Sequence, residues 1–458
     1  MKLDVIILAA GKGSRMYSDL PKVLHPIAGK AMVQHVVDAV TGLDADVKLN
    51  IVVGHGADQV RSRLESDNDH GAFEFIEQTE QLGTGHAVAQ ALPSLRQDAI
   101  ALILYGDVPL IAQETLASMV AAIKGDVMSL LTVEMEDPTG YGRIIRNIDG
   151  DVVSIVEQKD ATTEQLVVSE VNTGIMCVRQ SDLARWLPKL SNDNAQAEYY
   201  LTDIIAMAVE DAVSVNAIMP GAEYEVVGVN NKPQLAELER RYQRLLATEL
   251  MEGGVSLADP DRIDIRGEVS AGRDVYIDIN AVLIGKIKLG DRVSIGPNCV
   301  LIDADIGADC EIKANSIVED SKLSTACMVG PFARLRPGTE LSAGAKIGNF
   351  VEIKKSIIGE GSKVNHLSYV GDAELGKACN VGAGTITCNY DGANKYKTEL
   401  GDQVFVGSNS TLVAPLTIKD SGFVGAGSTI TQEVPGGSLA VGRTRQKNIP
   451  GWKRPEKN

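Results

Sequence analysis

The sequence predicts an α/β chain in two halves, a mostly parallel sheet covered by helices and then a left-handed parallel β-helix. Two observations lead to this prediction. Through about residue 230, short apolar runs of strand length alternate with helical patterns. From residue 289 onward, aliphatic residues recur every six positions, a spacing that fits neither a helix nor an ordinary strand.

The amino-acid composition narrows the range of molecules that the chain is expected to bind. The 458 residues carry 44 Lys plus Arg against 61 Asp plus Glu, a net charge of −17. We therefore expect no general nucleic-acid binding and no attraction to anionic membranes. No apolar run approaches the ~18 residues of a membrane-spanning helix, so membrane insertion is not expected. The six cysteines show no C-x-x-C spacing, which favours free thiols in a reducing cytoplasm.

The first predicted domain spans residues 1–231, and strands and helices alternate along it. We expect buried strands at residues 5–10, 49–53, 73–76 and 100–105, and helices at residues 32–40, 57–64 and 86–92. This alternation is typical of a parallel sheet with both faces covered. A linker helix is predicted at residues 232–252, where Leu235, Leu238 and Leu245 share one face and two glycines end the pattern.

The hexapeptide period occupies the last predicted domain, residues 253–458. Aliphatic residues in phase include Ile306, Ile312, Val318, Val329, Leu335, Leu341, Ile347 and Ile353. One aliphatic residue per hexad would fill a solenoid, and three hexads per coil would form the triangular prism of a left-handed β-helix. Residues 386–403 break the period with polar, aromatic and basic side chains, and such an insertion is usually functional.

A glycine-rich turn follows the first predicted strand. It reads Gly11-Lys12-Gly13-Ser14-Arg15-Met16, with Lys22 shortly after. The turn matches neither the P-loop nor the dinucleotide fingerprint. Its backbone N–H groups could still approach phosphate oxygens, and Arg15 and Lys22 supply the cations that a triphosphate needs. The alternative is a tight turn in a solvated basic loop.

Two further segments end near the same predicted sheet edge. Asp107 follows the strand at residues 100–105, and one carboxylate together with substrate phosphates is a usual way to hold Mg²⁺. Gln78 and Gln81 precede Gly83 and carry amides able to read a base edge. Taken singly, Asp107 would be a turn residue and the glutamines would precede a helix.

His366 is the only histidine beyond residue 86. Acyl transfer from a thioester to an amine needs a base near neutral pH, and the pKa of histidine suits that role. Nearby hexads supply Arg336, Lys354, Tyr369 and Asn380, which suit a sugar phosphate. The alternative is an ordinary surface histidine on a solenoid coil.

Together these motifs resemble a known family. The segment Leu8-Ala9-Ala10-Gly11-Lys12-Gly13-Ser14-Arg15-Met16 with Pro21-Lys22 looks like the signature of sugar-phosphate nucleotidyltransferases. With the hexapeptide half, which includes Asn365-His366-Leu367-Ser368-Tyr369, the chain resembles the bacterial bifunctional N-acetylglucosamine-1-phosphate uridylyltransferase/glucosamine-1-phosphate acetyltransferase family. The resemblance implies a Rossmann-like nucleotidyltransferase domain, a linker helix and an acetyltransferase β-helix.

The resemblance also implies roles for residues in the first half. Contacts to the uridine nucleotide would come from Leu8, Ala9, Ala10, Gly11, Gln78, Gly83 and Thr84, with Arg15 and Lys22 on its phosphates. The amino sugar would contact Tyr105, Gly106, Gly142, Glu157 and Asn172, and Mg²⁺ would be held by Asp107 and Asn230. The sugar 1-phosphate would attack the α-phosphorus of UTP, and pyrophosphate would leave.

In the second half, the resemblance makes His366 the general base for acetyl transfer. Glucosamine 1-phosphate would contact Arg336, Lys354, Tyr369 and Asn380. Acetyl-CoA would contact Ala383, Asn389, Tyr390, Ser408, Ala426 and Arg443. Lys395 would reach an adjacent site. The family assembles as a homotrimer with these sites between prisms. The product, UDP-N-acetylglucosamine, is a precursor of peptidoglycan and lipopolysaccharide.

Two other functions are compatible with the motifs. One is a single-activity sugar-1-phosphate nucleotidyltransferase whose β-helix is structural, and the other is a non-catalytic assembly subunit. His366 and the insertion argue against the first, and intact Arg15, Lys22, Asp107 and Asn230 argue against the second.

Overall fold

The structure is a computed structural model that describes residues 1–66, 71–125 and 127–455. The last three residues of the predicted β-helix domain therefore lie outside the described residues. The chain divides into two compact units, Met1–Tyr242 and Gln243–Asn458. None of the helices in the described ranges is long and apolar enough to cross a membrane.

The first unit is built on a mixed sheet whose centre is parallel. The order across the main sheet is Ser214–Ile218, Val127–Glu134, Glu170–Arg179, Ile100–Tyr105, Lys2–Ala9, Asp46–Val53 and Phe73–Glu77. The strand Glu170–Arg179 runs antiparallel to both of its neighbours, and the other pairs on this path are parallel. The hairpin Arg143–Arg146 and Val152–Val156 joins the sheet at one side, and Pro26–Ile27 pairs with Lys30–Ala31.

Helices cover both faces of this sheet, as the sequence predicts. They are Met32–Thr41, Ala57–Ser66, Thr84–Ala91, Gln113–Ala121, Thr163–Leu166, Gln180–Trp186 and Ile204–Glu210. Side chains of the central strand Lys2–Ala9 alternate between two cores: Val5 and Ile7 enter one, and Ile6 enters the other. All three are fully buried, which explains why this strand is an uninterrupted apolar run.

The long helix Lys232–Glu252 ends the first unit and begins the second. In the first unit, Glu239 accepts a hydrogen bond from the backbone N–H of Ala28 at 2.7 Å. In the second unit, Ala247 is fully buried among the solenoid's core residues. The helix therefore contributes side chains to both units, because its apolar face continues along its whole length.

The second unit is the left-handed parallel β-helix that the hexads predict, with three faces. Face one consists of Ser256–Leu257, Tyr276–Ile277, Ser294–Ile295, Glu311–Ile312, Met328–Val329, Lys346–Asn349, Lys363–His366, Asn380–Val381, Phe405–Val406, Phe423–Val424 and Leu439–Ala440. Face two consists of Val300–Ile302, Ile317–Glu319, Arg334–Leu335, Glu352–Lys354, Tyr369–Gly371, Ile386–Cys388, Thr411–Val413 and Thr429–Ile430. Face three consists of Asp305–Ile306, Ser321–Leu323, Thr339–Leu341, Ile357–Ile358, Ala373–Leu375, Thr398–Leu400 and Leu416–Ile418, and the longer strands Ile263–Ala271 and Ala281–Leu289 start the stack.

The strand pairing along face one gives the number of residues in each coil. Met328 pairs with Lys346 (346 − 328 = 18 residues), and Lys346 pairs with Lys363 (363 − 346 = 17 residues). One side of some coils is therefore five residues long rather than six. Asn380 pairs with Phe405 across 25 residues, so this coil carries the insertion.

The insertion is shorter than the break in the sequence pattern. Residues 386–388 and 398–400 are strands of faces two and three, so the predicted break at 386–403 reduces to residues 389–397. The pattern is obscured at its edges because threonines fill inward positions there: Thr387 is 3% exposed and Thr398 is fully buried.

Candidate active sites

A cavity of about 430 Å³ opens at the carboxyl ends of the central strands in the first unit. The predicted residues that line it are Leu8, Ala9, Ala10, Gly11, Lys22, Gln78, Gly83, Thr84, Tyr105 and Asp107. Parallel pairing of Lys2–Ala9 with Ile100–Tyr105 puts Leu8 opposite Tyr105, which aligns the ends of the two strands. Segments that follow the first strand by about 70 and 100 residues in the sequence therefore meet its end at one opening.

The glycine-rich turn reaches this cavity through a left-handed backbone conformation at Gly13. Gly13 has φ +58°, and a Cβ there would lie 2.7 Å from Cβ of Lys22. Both features require glycine, since a side chain would be strained and would push Lys22 aside. The turn thus brings the backbone close to Lys22, whose side chain is mostly buried at 15% exposure.

Lys22, Asp107 and Asn230 converge at one side of the cavity. The Lys22 ammonium forms an ion pair with Asp107 Oδ2 and lies 3.4 Å from Oδ1 of Asn230. Arg15 donates to the same Asn230 oxygen at 3.0 Å. One carboxylate, one amide oxygen and two cations are thus linked by a continuous chain of polar contacts.

This donor set fits a magnesium site. Carboxylate and amide oxygens are hard ligands of the kind that Mg²⁺ takes, and substrate phosphates usually complete its coordination. The oxygens of Asp107 and Asn230 already approach one positive charge, the Lys22 ammonium. Both oxygens therefore already face one positive charge, as the ligands of a shared cation would.

A second group of predicted residues comprises Gly142, Glu157 and Asn172, and Glu157 is near enough to Tyr105 to affect its pKa. The backbone N–H of Asn172 donates to the Gly142 carbonyl at 2.8 Å, and a Cβ on Gly142 would lie 3.4 Å from Oε1 of Glu157. Burial raises the pKa of Glu157, while Thr202 donates to its carboxylate at 3.2 Å. Burial also raises the pKa of Tyr105, with smaller contributions from Asp107 and Glu157. This half-buried polar corner suits sugar hydroxyl and amide groups.

Gln78 is buried at 5% exposure and held by two contacts. Its Nε2 donates to the Gly83 carbonyl at 3.2 Å and lies 3.0 Å from Nδ1 of His86. The amide nitrogen is therefore occupied, which leaves the amide oxygen as the group available to a ligand. Gln81 donates to the Ala10 carbonyl at 3.0 Å and also lines the cavity.

The second unit carries the other predicted residues on two of its faces. Arg336, Lys354 and Tyr369 lie along face two, where Arg336 donates to Glu352 at 2.8 Å. Lys354 lies beside Lys395 from the insertion, and that ammonium lowers the pKa of Lys354. This juxtaposition of like charges favours an anion as ligand.

His366 ends a strand of face one, and Asn380 lies on the next coil of that face, in register with Lys363 rather than with His366. The structure thus brings Arg336, Lys354 and Tyr369 together but puts Asn380 on a different face. Lys395, expected to reach an adjacent site, lies against Lys354 of its own chain.

The residues expected to contact acetyl-CoA line the later coils. Asn409 N–H donates to the Ala383 carbonyl at 2.7 Å, and Gly427 N–H donates to the Ser408 carbonyl at 2.8 Å, so these corners stack. Arg443 donates to the Ala426 carbonyl, which extends the row. Asn389 is buried and donates to Asp372, whereas Tyr390 is exposed on the insertion.

Some residues at these sites carried no usable signal in the sequence. Glu198 lines the first cavity from an irregular loop, and Glu352 pairs with Arg336. Asn349 contacts His366 from the preceding coil. An isolated Glu or Asn is common on any surface, so the fold is needed to identify Glu198 and Glu352. The 17-residue coil offset could have indicated Asn349, because 366 − 349 = 17.

Comparison with known proteins assigns the chain to a family. The MobA-like NTP transferase domain family matches residues 5–147. "Bifunctional protein GlmU" of Marinobacter nauticus is 61% identical over 455 residues, covering 99% of each chain. The protein of the same name from Cellvibrio japonicus is 57% identical over 453 residues, again covering 99% of each. A nucleotidyl transferase from Methanothermobacter thermautotroptrophicus has a solved structure that covers 53% of this chain and 99% of its own at 18% identity and a TM-score of 0.38. Because the similarity to the GlmU proteins spans both units, the chain belongs to the bifunctional GlmU family.

Proposed function

We propose that the two units catalyse successive steps of UDP-N-acetylglucosamine synthesis. As a member of this family, the chain is a bifunctional enzyme that acetylates glucosamine 1-phosphate from acetyl-CoA and then transfers uridylyl from UTP to the product. The observation that supports this division is the separation of the two residue sets. The phosphate-binding and metal-binding candidates converge in the first unit, and His366 stands on the second. UTP and acetyl-CoA are cytoplasmic metabolites, which favours the cytoplasm as the site of action.

In the first unit, Asp107 and Asn230 would hold Mg²⁺ together with phosphate oxygens. The bound cation would neutralise charge on the triphosphate. Arg15 and Lys22 would bind the phosphates and stabilise the departing pyrophosphate. The sugar 1-phosphate oxygen would attack the α-phosphorus, with the bond to the β-phosphate oxygen breaking. No general base is required, because the attacking phosphate is already anionic. Gln78 would present its amide oxygen to the N3–H of uracil.

In the second unit, His366 would remove a proton from the amine of glucosamine 1-phosphate as the nitrogen attacks the thioester carbonyl. The tetrahedral intermediate would then expel the CoA thiolate, and the imidazolium would pass the proton taken from the amine to this thiolate. Arg336, Lys354 and Lys395 would bind the sugar phosphate. Asn389, Tyr390 and the corner residues of the later coils would bind acetyl-CoA.

A homotrimer would complete the acetyl-transfer site. His366 is exposed, and Asn380 lies on a different face from the Arg336 cluster, so one copy leaves the site open. Next to His366 runs an exposed apolar ridge: Phe332 and Phe350 stack at 5.3 Å with 50% and 56% exposure, and Leu367 on the next coil is 61% exposed. We expect another copy of this chain to cover the ridge. Sedimentation of Phe350→Glu should then report a smaller particle that has lost acetyl transfer and retained uridylyl transfer.

A coupled assay tests the whole proposal. Purified protein is supplied with glucosamine 1-phosphate, acetyl-CoA, UTP and Mg²⁺, and free CoA thiol and pyrophosphate are measured separately. We expect both products, with pyrophosphate lagging behind thiol. Pyrophosphate that appears only when N-acetylglucosamine 1-phosphate is added, without thiol release, would instead indicate a uridylyltransferase with a structural β-helix.

A further inference from the structure

We propose that Asn349 is a positioning residue for acetyl transfer, because its amide oxygen holds the His366 imidazole with the proton on Nδ1 and leaves Nε2 free to act as the base. The inference rests on the proposed role of His366. It adds a residue that acts through the base rather than on the substrate.

The contact is short and belongs to a local departure from the solenoid pattern. Nδ1 of His366 lies 2.5 Å from Oδ1 of Asn349. The two residues are paired in register at the ends of Lys346–Asn349 and Lys363–His366. These strands are four residues long, whereas the strands before and after them on face one, Met328–Val329 and Asn380–Val381, have two. The additional ladder pair places one side chain over the other.

Hydrogen-bonding chemistry sets the tautomer. An amide oxygen only accepts, so the ring nitrogen that faces it must carry the hydrogen. In the neutral imidazole the other nitrogen then has a free lone pair, as a general base requires. Were the amide turned to present its NH₂ group, Nδ1 would be the acceptor and Nε2 would carry the hydrogen. The base would then be blocked at the position that the substrate reaches.

Asn349 is uncharged, and this difference from a carboxylate matters for the His366 imidazole beside it. A carboxylate at this position would stabilise the imidazolium and raise its pKa, typically by about one to three units. An amide orients the ring without adding that charge. Titratable groups on the surrounding strands are Lys346 and Lys363 on face one, and Glu352, Lys354 and Tyr369 on face two. In the described part of the chain, none of these five side chains is hydrogen-bonded to the ring.

The test compares Asn349→Ala, Asn349→Asp and a matched control, Asn365→Ala, which removes an amide from the strand of His366 without touching the ring contact. For Asn349→Ala we expect kcat for acetyl transfer to fall at least about tenfold, with KM for both substrates little changed. For Asn349→Asp the acidic limb of the kcat–pH profile should move about one unit or more to higher pH. Asn365→Ala should behave like the unmodified protein, and uridylyl transfer should be unchanged in all three.

Nitrogen-15 NMR of the full chain labelled at histidine provides a readout that does not depend on turnover. At alkaline pH the His366 signals should show a protonated Nδ1 and an unprotonated Nε2. A protonated Nε2, an unmoved acidic limb in Asn349→Asp, or a normal kcat in Asn349→Ala would overturn the inference. If His366→Ala itself retained acetyl transfer, the proposed function of His366 would fail instead, so the two failures are distinguishable.

Discussion

At the scale of single residues, the first unit pairs a lysine with the oxygens expected to bind a metal. Lys22 and Asp107 are 85 residues apart in sequence, and Arg15 and Asn230 are 215 apart, yet all four form one cluster. In the free protein the Lys22 ammonium neutralises Asp107. When the triphosphate and Mg²⁺ bind, the proposed function requires this ammonium to turn toward phosphate. Asp107 would then be paired with Lys22 in the free protein and with the metal in the complex.

The Asp107→Asn variant tests this arrangement. The substitution keeps the side-chain shape and removes the charge, so we expect Mn²⁺ binding in the presence of UTP to weaken and uridylyl transfer to fall at least about a hundredfold. Electron paramagnetic resonance measures free Mn²⁺, and pyrophosphate release measures turnover. The control is Asp44→Asn, which alters an exposed aspartate outside the cavity. Undiminished Mn²⁺ affinity in Asp107→Asn would remove Asp107 from the metal site.

A second residue-scale prediction concerns pH. The Lys395 ammonium lowers the pKa of Lys354 in the free protein, and a bound phosphate would raise it again. Binding of glucosamine 1-phosphate therefore takes up protons, and its affinity should decline as pH rises through the lowered pKa of Lys354. In Lys395→Ala that decline should move to higher pH, because the repelling charge is gone.

The measurement is KM for glucosamine 1-phosphate across the alkaline range. Lys355→Ala is the matched control, since Lys355 is an exposed lysine adjacent to Lys354 in the sequence, whereas Lys395 is the charge that lowers the pKa of Lys354 most. A KM–pH profile that is the same with and without Lys395 would contradict the assigned coupling.

At the scale of elements, stacked strands carry both the core and the chemistry. Ile347 is 1% exposed, is paired with Val329 and Val364 on the neighbouring coils, and lies on the same strand as Asn349. Cores of this kind are close-packed, so removing three carbons leaves a cavity next to the residues that hold His366.

We expect Ile347→Ala to lower the free energy of unfolding of the β-helix by about 2–5 kcal/mol. Lys346→Ala on the same strand, which is exposed, should change it by less than about 0.5 kcal/mol. Urea titration monitored through each activity provides the measurement. Acetyl transfer should be lost at a lower urea concentration in Ile347→Ala, while the midpoint for uridylyl transfer should stay in place. Equal shifts of both midpoints would argue against local destabilisation.

At the scale of the whole molecule, the chain holds two residue sets in two compact units. Each proposed site draws its residues from within one unit, apart from what another copy of the chain would add. The two activities should therefore be separable by single substitutions.

His366→Ala should abolish acetyl transfer and leave uridylyl transfer intact when N-acetylglucosamine 1-phosphate is supplied directly. Asp107→Ala should do the reverse. The assay is thiol release and pyrophosphate release measured on the same preparations. Loss of both activities from either substitution would mean that the units do not act independently.

Much of the fold followed from local sequence pattern. The strand Lys2–Ala9 was foreseeable because its residues are apolar on both sides, and the β-helix because each coil repeats the same inward positions. The limits of the insertion could not be predicted in this way, because the threonines at 387 and 398 are buried but look polar in the sequence. Periodicity reports side-chain chemistry, whereas burial depends on what the neighbouring coil covers.

The sequence by itself determined the two-part architecture, the family and the candidate residues, because repeats and glycine-rich motifs are local properties of the chain. Only the tertiary structure decided which residues meet. Parallel pairing aligns Leu8 with Tyr105 and brings Asp107 to Lys22, and coil stacking sets Asn349 against His366. These contacts join residues that are distant in sequence, and they form only because burial of one face of each strand fixes its register against the neighbouring strand.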